Sequence, residues 1–359
     1  MFMATKQEKL CQALKARVTD VTERYKQAGY FPTASVRVFD KEKTLATVQA
    51  GDAREDSVFD VASLTKIATT TQVLMLIDEG KLTLDTPVED FFDEIKGDAF
   101  LHARLKDVTI RRLLTHTSSI VDWYPFYCQI GDDFFTVLRS ALLKNAPVKG
   151  MVYSDLNYML LGKMLERIHH LPLKECLQRN LVQPLQLGVM AYQPERTWDV
   201  IPSSYGNSVE MDMCRERGIQ FTHFRPLDKP VQYETNDGNA HYYFDDVAGH
   251  AGIFAAPEAY ERLCRFYMTT DHPIFIEAQK EQPNAPTRGF GFQLGPMYPY
   301  GCGHTGFTGT CIWFSREKNI GAVAFTNRLF YLGYDNPNAT ADYRRALHET
   351  VLTTVELLR

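Results

Sequence analysis

Apolar residues change their period along the chain, and the changes mark its elements. Leu10, Leu14, Val18, Val21 and Tyr25 recur at three- and four-residue steps, which predicts a helix over 5–28 with one buried face. Gly29 and Pro32 end it. The runs 34–39 and 44–50 are rich in β-formers and are joined by Asp40-Lys41-Glu42-Lys43, the pattern of a hairpin. A further helix is expected over 63–79, closed by Gly80. Residues 85–245 are mostly helical in pattern, with long polar loops and an irregular stretch over about 195–240. Short strand-like runs return at 252–255, 289–294, 311–314 and 320–326, and 340–358 reads as a closing helix. Strands at both ends around a helical middle predict an α/β domain built from the two termini, with a helical region inserted.

Composition narrows the class without naming a function. Of 359 residues, 39 are Lys or Arg and 44 are Asp or Glu, a formal charge of −5. No general basic field is therefore on offer to nucleic acid or to anionic lipid. Hydrophobic residues at 45% and charged residues at 23% suit a globular protein and disfavour disorder or coiled coil. Dense apolar runs such as 73–77 fall far short of the ~20 residues of a membrane helix. The stretch from Met1 to Lys9 meets charge at once and has no apolar segment, unlike a signal peptide. Cys11, Cys128, Cys176, Cys214, Cys264, Cys302 and Cys311 are scattered, with no CxxC pair. They read as thiols in a reducing compartment, so the expected location is cytoplasmic.

The chemistry is carried first by Phe59-Asp60-Val61-Ala62-Ser63-Leu64-Thr65-Lys66. A serine hydroxyl is a weak nucleophile and needs a base within hydrogen-bond reach. On a helix, positions three apart share a face, so Lys66 can lie beside Ser63. The first turn also presents unpaired N–H groups that can hold an oxyanion. Alone the match is weak: 11 Ser and 17 Lys give about 0.5 SxxK matches by chance. A second one, Ser315 to Lys318, falls between two strand-like runs, where a turn would part the side chains. The plain alternative for Ser63 is a helix N-cap followed by a surface lysine.

Further segments follow in order. Tyr153-Ser154-Asp155-Leu156-Asn157-Tyr158 precedes an amphipathic pattern, and Gly303-His304-Thr305-Gly306-Phe307-Thr308-Gly309 leads into the strand-like run at 311. With these in place the chain resembles the serine β-lactamase and penicillin-binding-protein superfamily, in its class C β-lactamase-like branch, whose elements are SxxK, YxN and KTG or HTG. Leu113 to Ser119, Gly249-His250-Ala251-Gly252-Ile253-Phe254 and Phe325-Thr326-Asn327-Arg328 also look like that branch, the second of them like its penicillin-binding-protein 4B-like subgroup, while HTG is similar to the esterase-like and peptidase relatives. The resemblance spans about residues 30–350. It implies a mainly antiparallel sheet flanked by helices, made from 1–84 and 246–359, with a mainly helical domain from 85–245 and the site in the cleft between them.

The same resemblance implies roles. Ser63 would form an acyl-enzyme, Lys66 would take its proton or act as an ammonium, and Tyr153 would shuttle the proton. The N–H groups of Ser63 and Phe307 would form the oxyanion hole, and Asp155, His304, Thr305 and Gly306 would contact substrate. No metal or organic cofactor is needed, and the partner is a small ester, amide or peptide, with a D-amino-acid peptide among the candidates. Two positions depart from the pattern. Asp155 stands where the family has asparagine; beside Lys66 a carboxylate favours the ammonium and shifts base work to Tyr153. A phenol, with an ordinary pKa near 10, needs a nearby cation for that work. His304 replaces the basic residue of KTG and anchors a carboxylate less well. Two rival readings remain: a D-alanyl-D-alanine carboxypeptidase or weak β-lactamase, and a catalytically silent binding protein of the same fold.

Other polar and aromatic positions read more plainly. His116 and His250 suit structural roles, with the glycines around His250 marking tight backbone approach. His169 and His170 suit a helix end. Trp123, Tyr124, Phe126 and Tyr127 either wall a pocket or pack between regions. Asp85, Glu89, Asp90, Asp93 and Glu94 form a solvated acidic face.

Overall fold

The computed structural model describes residues 5–331 and 339–359; the start of the N-terminal stretch, Met1 to Ala4, lies outside them. Helix α1 (Lys6–Gln27) begins with Thr5, whose hydroxyl caps the Glu8 N–H while the Glu8 carboxylate accepts from the Thr5 N–H. That reciprocal pair satisfies two donors that a helix start leaves open. β1 (Ala34–Phe39), β2 (Thr44–Ala50), β3 (Phe59–Asp60) and α2 (Thr65–Asp78) follow. Then come α3 (Asp93–Gly97), α4 (Ala99–Leu105), α5 (Ile110–Leu114), α6 (Phe134–Lys144), α7 (Asp155–His169) and α8 (Leu173–Leu177). β4 (Met190–Tyr192), β5 (Ser204–Tyr205), α9 (Ser208–Glu216), β6 (Pro230–Val231) and β7 (Ile253–Ala255) lead to α10 (Pro257–Thr269) and α11 (Pro273–Glu277). β8 (Cys302–Thr305), β9 (Cys311–Ser315), β10 (Ile320–Thr326) and α12 (Ala339–Leu358) close the chain.

The main sheet has the order β2-β1-β10-β9-β8, with antiparallel neighbours throughout. Both ends of the chain therefore meet in one sheet: Ala34 pairs with Thr326 on one side and with Ala50 on the other. Every residue of β1, β9 and β10 is buried, because helices cover both faces. Side chains alternate between those faces. Val36, Val38, Trp313 and Ala322 pack with Leu14 and Val18 of α1 and Leu347 and Val351 of α12. Ile312, Phe314, Val323 and Phe325 pack with Leu263 and Tyr267 of α10, and this second core runs on into α2, α5 and α7. Smaller sheets, β3-β7-β4 and β5-β6, lie outside the main one.

Three expectations need correction. Residues 289–294 form no strand but a turn held by single bridges, Arg288 to Gln293 and Gln293 to Gly303. Gly291 there sits at φ +75° and donates to the Leu114 carbonyl, a path a regular strand cannot follow. The stretch 195–240 contains β5, α9 and β6; their brevity hides them from a periodicity reading. The helix expected from Ser63 begins instead as a 3-10 turn, Ala62–Leu64, before α2. Among the described residues no helix is long and apolar enough to cross a membrane, and all seven cysteines are unpaired.

One charged cluster lies inside this frame. Arg37 of β1 points toward α10, where its Nε meets Glu261 Oε2 at 2.5 Å, and Arg265 meets the other Glu261 oxygen at 2.5 Å. Glu261 is 1% exposed, so its removal leaves the buried Arg37 guanidinium with only the exposed Glu55 carboxylate and the Thr44 hydroxyl as partners. Glu261→Ala is expected to cost about 3 kcal/mol of unfolding free energy, read from urea midpoints; a loss below about 1 kcal/mol would show the pair to be energetically idle.

Candidate active site

The turn that carries Ser63 is set by its neighbours. β3 ends at Asp60, and Ala62 follows at φ +47°, a left-handed conformation that costs a non-glycine residue about 1–2 kcal/mol. The Ala62 N–H donates to Asp60 Oδ1 at 2.8 Å, and Leu64 N–H donates to the Val61 carbonyl at 3.0 Å. Ser63 then faces a cavity of about 460 Å³, and Lys66, one turn on, reaches back beside it.

Lys66 is 0% exposed. Its Nζ lies 2.9 Å from Ser63 Oγ, 2.8 Å from Asp155 Oδ1 and 3.1 Å from the His250 carbonyl oxygen. An ammonium has three N–H donors, and these three acceptors use them all. Burial works against the charge, but the Asp155 carboxylate and the Tyr153 hydroxyl outweigh it and hold the ammonium above the usual lysine range. The third acceptor depends on a close backbone contact. A Cβ on Gly249 would lie 2.1 Å from the Tyr158 carbonyl oxygen and 2.9 Å from Gly162 Cα, so loop 249–252 sits directly on α7.

Tyr153 precedes α7, whose first residue is Asp155. Three bonds strap this segment to the loop after α5. Val152 N–H donates to the His116 carbonyl, Ser154 N–H to His116 Nδ1 at 3.0 Å, and Asp155 N–H to the Asp122 carbonyl. The Tyr153 ring is packed 4.5 Å from the His116 ring and 6.0 Å from the His304 ring, with Lys66 Nζ 5.0 Å from its centroid and the Arg288 guanidinium carbon 5.2 Å away. Burial, with the charges of Arg288 and Lys66 adding to it, holds both imidazoles well below the usual histidine range. Both histidines are neutral neighbours.

On the other wall, Thr305, Gly306 and Phe307 line the cavity. Among the described residues the Phe307 N–H has no partner. A Cβ on Gly306 would stand 2.0 Å from Thr310 Oγ1 and 2.4 Å from the Val61 carbonyl oxygen. The glycine of HTG is thus required by the approach of the Ser63 turn. His304 departs from the expectation of substrate contact. It is 1% exposed, lies off the cavity wall, and gives its Nδ1 hydrogen to the Thr305 carbonyl at 2.8 Å.

The aromatic group divides. Trp123 lines the cavity, whereas Tyr127 is buried against Phe221, Phe224 and Tyr242. His250 lies behind Lys66, with Nε2 3.0 Å from Asp237 Oδ1. His169 ends α7 and His170 follows it at φ +52°. The acidic face forms outward ion pairs, Asp85 to Arg111, Asp90 to Lys96 and Glu94 to Arg167, and Glu89 lies 2.7 Å from His102 Nδ1.

Four cavity residues carry no motif that would reveal them. Arg288 and Arg344 line the cavity and have no carboxylate partner among the described residues. Arg288 Nη1 and Arg344 Nε are buried without hydrogen bonds, while Arg344 Nη2 donates to the Gly306 and Thr310 carbonyls. Glu210 and Asp237 form an acidic pair on α9 and the 235–238 loop. Burial, reinforced by Asp237, pushes Glu210 upward; for Asp237 burial is outweighed by His250, then the Ala240 N–H and Lys66, which hold it low. Glu210 keeps the proton and Asp237 the charge.

This geometry meets the family pattern in three dimensions. A model of the β-lactamase family matches residues 18–347. The chain belongs to the β-lactamase family. It is 28% identical over 303 residues to N-acetylmuramyl-L-alanine amidase of Bacillus subtilis (strain 168), covering 76% of this chain and 68% of that protein. Its fold is similar to that of EstCE1, a hydrolase with promiscuous acyltransferase activity (TM-score 0.71, 17% identity, 94% of this chain and 99% of that one). A class C β-lactamase gives a TM-score of 0.70 at 18% identity, over 98% and 99% of the two chains. The class C fold is thereby shown, with its antiparallel sheet and covering helices.

Two outcomes follow for this β-lactamase-family site. Gly306→Ala drives a Cβ into the Val61 carbonyl, so it is expected to lose at least about 2 kcal/mol of stability or to displace the turn. Thermal unfolding together with the rate of Ser63 acylation checks this, and a variant normal in both would refute the steric argument. Glu210 behaves as a carboxyl raised by burial. The unfolded chain ionises it from the usual glutamate range upward while the fold retains the proton, so its contribution to stability declines as pH rises. Urea midpoints of the wild type are expected to fall from about pH 5 to pH 8 more steeply than those of Glu210→Gln; parallel curves would count against the assignment.

Proposed function

We propose that this β-lactamase-family serine hydrolase cleaves a small ester or amide through an acyl-enzyme on Ser63, with Tyr153 as the proton carrier and Lys66 as a fixed ammonium. The observation that carries this reading is the saturation of Lys66 by Ser63, Asp155 and the His250 carbonyl. An ammonium that Asp155 holds above the usual lysine range has no lone pair to accept the serine proton. Its charge instead stabilises a phenolate on Tyr153, and the Arg288 guanidinium adds to that field. Tyr153 then takes the Ser63 proton as the oxygen attacks the carbonyl, and delivers it to the leaving group. The oxyanion is received by the N–H groups of Ser63 and Phe307. Water activated by Tyr153 completes the cycle.

The cleft reading follows from where the lining residues arise. Ser63, Arg288, Thr305 and Phe307 come from the segments 1–84 and 246–359, and Trp123, Tyr153, Glu210 and Asn236 from 85–245. One observation favours the peptidase alternative: Arg288 and Arg344, without a carboxylate partner among the described residues, suit a substrate that ends in a carboxylate, such as a D-alanyl peptide. They supply the positive charge that neutral His304 lacks. The amidase named among the relatives supports an amide bond as the target. Seven unpaired cysteines support a cytoplasmic setting.

Activity-based labelling tests the reading. Wild type is expected to react with a fluorescent fluorophosphonate and Ser63→Ala not to react, with Tyr153→Phe slowed at least about 100-fold. Labelling by a fluorescent β-lactam as well would favour the penicillin-binding reading. No labelling by either probe would overturn the hydrolase and leave a silent binding protein.

A further inference from the structure

Asp60 has no part in the chemistry described above, yet it is the residue through which three pieces of the cavity wall are joined. It is 2% exposed. One carboxylate oxygen, Oδ1, accepts from the Ala62 N–H at 2.8 Å, and the other, Oδ2, accepts from the Asn236 N–H at 2.7 Å. Its own carbonyl accepts from Thr308 Oγ1 at 2.8 Å, and the next carbonyl, of Val61, accepts from Thr310 Oγ1 at 3.0 Å. The three partners belong to the Ser63 turn, to the 235–238 loop with Asp237, and to the segment that follows Phe307.

The need for such a tie is local. Ala62 occupies the left-handed region, which an alanine leaves unless something opposes the relaxation. If Ala62 relaxes, the peptide between Ala62 and Ser63 rotates, and that peptide carries the Ser63 N–H. The other oxyanion donor, on Phe307, is one residue from Thr308. Both donors are therefore referred to Asp60, one through its side chain and one through its carbonyl. We propose that Asp60 is a positioning residue that holds the two oxyanion-hole N–H groups in register by clamping Ala62 in its strained conformation. This inference rests on the acyl-enzyme reading of Ser63.

The clamp requires an ionised carboxylate, since a protonated oxygen would turn a donor toward a donor. Burial raises the Asp60 carboxyl to about 6; the N–H groups of Asn236 and Ala62 oppose that rise, Asp237 adds to it and Arg225 opposes it. Asp237 and Arg225 are the charged groups that act on it, and Thr308 contributes only a hydroxyl. Acylation is therefore expected to gain an acid limb near pH 6, with the rate rising as Asp60 ionises.

The test compares fluorophosphonate labelling rates of wild type, Asp60→Asn, and Asp60→Asn combined with Ala62→Gly, with Ser63→Ala as the control. Asp60→Asn keeps the volume but can accept only one of the two N–H groups. Its labelling is expected to slow at least about 10-fold and to lose the acid limb. Glycine reaches the left-handed region without penalty, so the double variant is expected to regain at least about threefold over Asp60→Asn. A general loss of packing would not be repaired by a glycine. Should Asp60→Asn fail to fold, Thr308→Val, which removes the hydroxyl tie to the Asp60 carbonyl, is expected to slow labelling while the protein stays fully folded at the assay temperature. Wild-type rates in Asp60→Asn, no recovery in the double variant, or a normal rate in Thr308→Val would each overturn the proposal. Absence of labelling in the wild type itself would instead refute the acyl-enzyme reading.

Discussion

The ion pair between Lys66 and Asp155 is the interaction on which the rest of the site depends. An ammonium in a fully enclosed position is unfavourable by several kcal/mol unless its partners are fixed in place. Asp155 compensates the charge, the His250 carbonyl and Ser63 complete its coordination, and each partner comes from a different part of the chain. The pair therefore ties the start of α2 to the start of α7 and to the 249–252 loop. Chemistry and assembly share one contact here: the charge that would stabilise a phenolate also obliges the helical region to stand against the nucleophile turn.

The protonation pattern around that pair follows one rule. Most of the buried titratable groups beside it have either an opposite charge or a neutral form. Lys66 and Asp237 are charged and partnered, whereas His116, His304 and Glu210 are neutral. Arg288 and Arg344 are the exceptions, cations that line the cavity without a carboxylate among the described residues. An incoming anion would remove that imbalance, which is the electrostatic reason to expect an acidic group on the substrate.

How much of this could be read from the sequence depends on the kind of signal. β1, β2 and β10 emerge at the expected bounds because each is a run of β-formers between clear breaks. The residues 289–294 mimic such a run, but Gly289, Gly291 and a contact with α5 bend them into a turn. Ser63 and Lys66 were legible because they are three apart at a helix start, and Tyr153 and Asp155 because they open an amphipathic pattern. His304 was misplaced because motif order fixes a strand position but not which face of it is wet. Glu210, Arg344 and Asp60 reach partners 28 to 248 residues away in sequence, and Arg288 and Arg344 carry buried atoms without hydrogen bonds. No local period records such distances.

The glycine contact between Gly249 and Gly162 has a consequence for how the protein can diversify. Lys66 takes one of its acceptors from the next residue of the loop, and the loop's height above α7 is set by backbone on backbone, with no side chain between them to be exchanged. The position of that carbonyl is thus insulated from ordinary side-chain drift. Trp123, Met213 and Phe307, by contrast, border the cavity and supply no ligand to the ammonium. Libraries confined to those three positions would vary the acyl group accepted while the ammonium and its ligands stay in place, so the fold offers a constant reaction centre behind an exchangeable mouth.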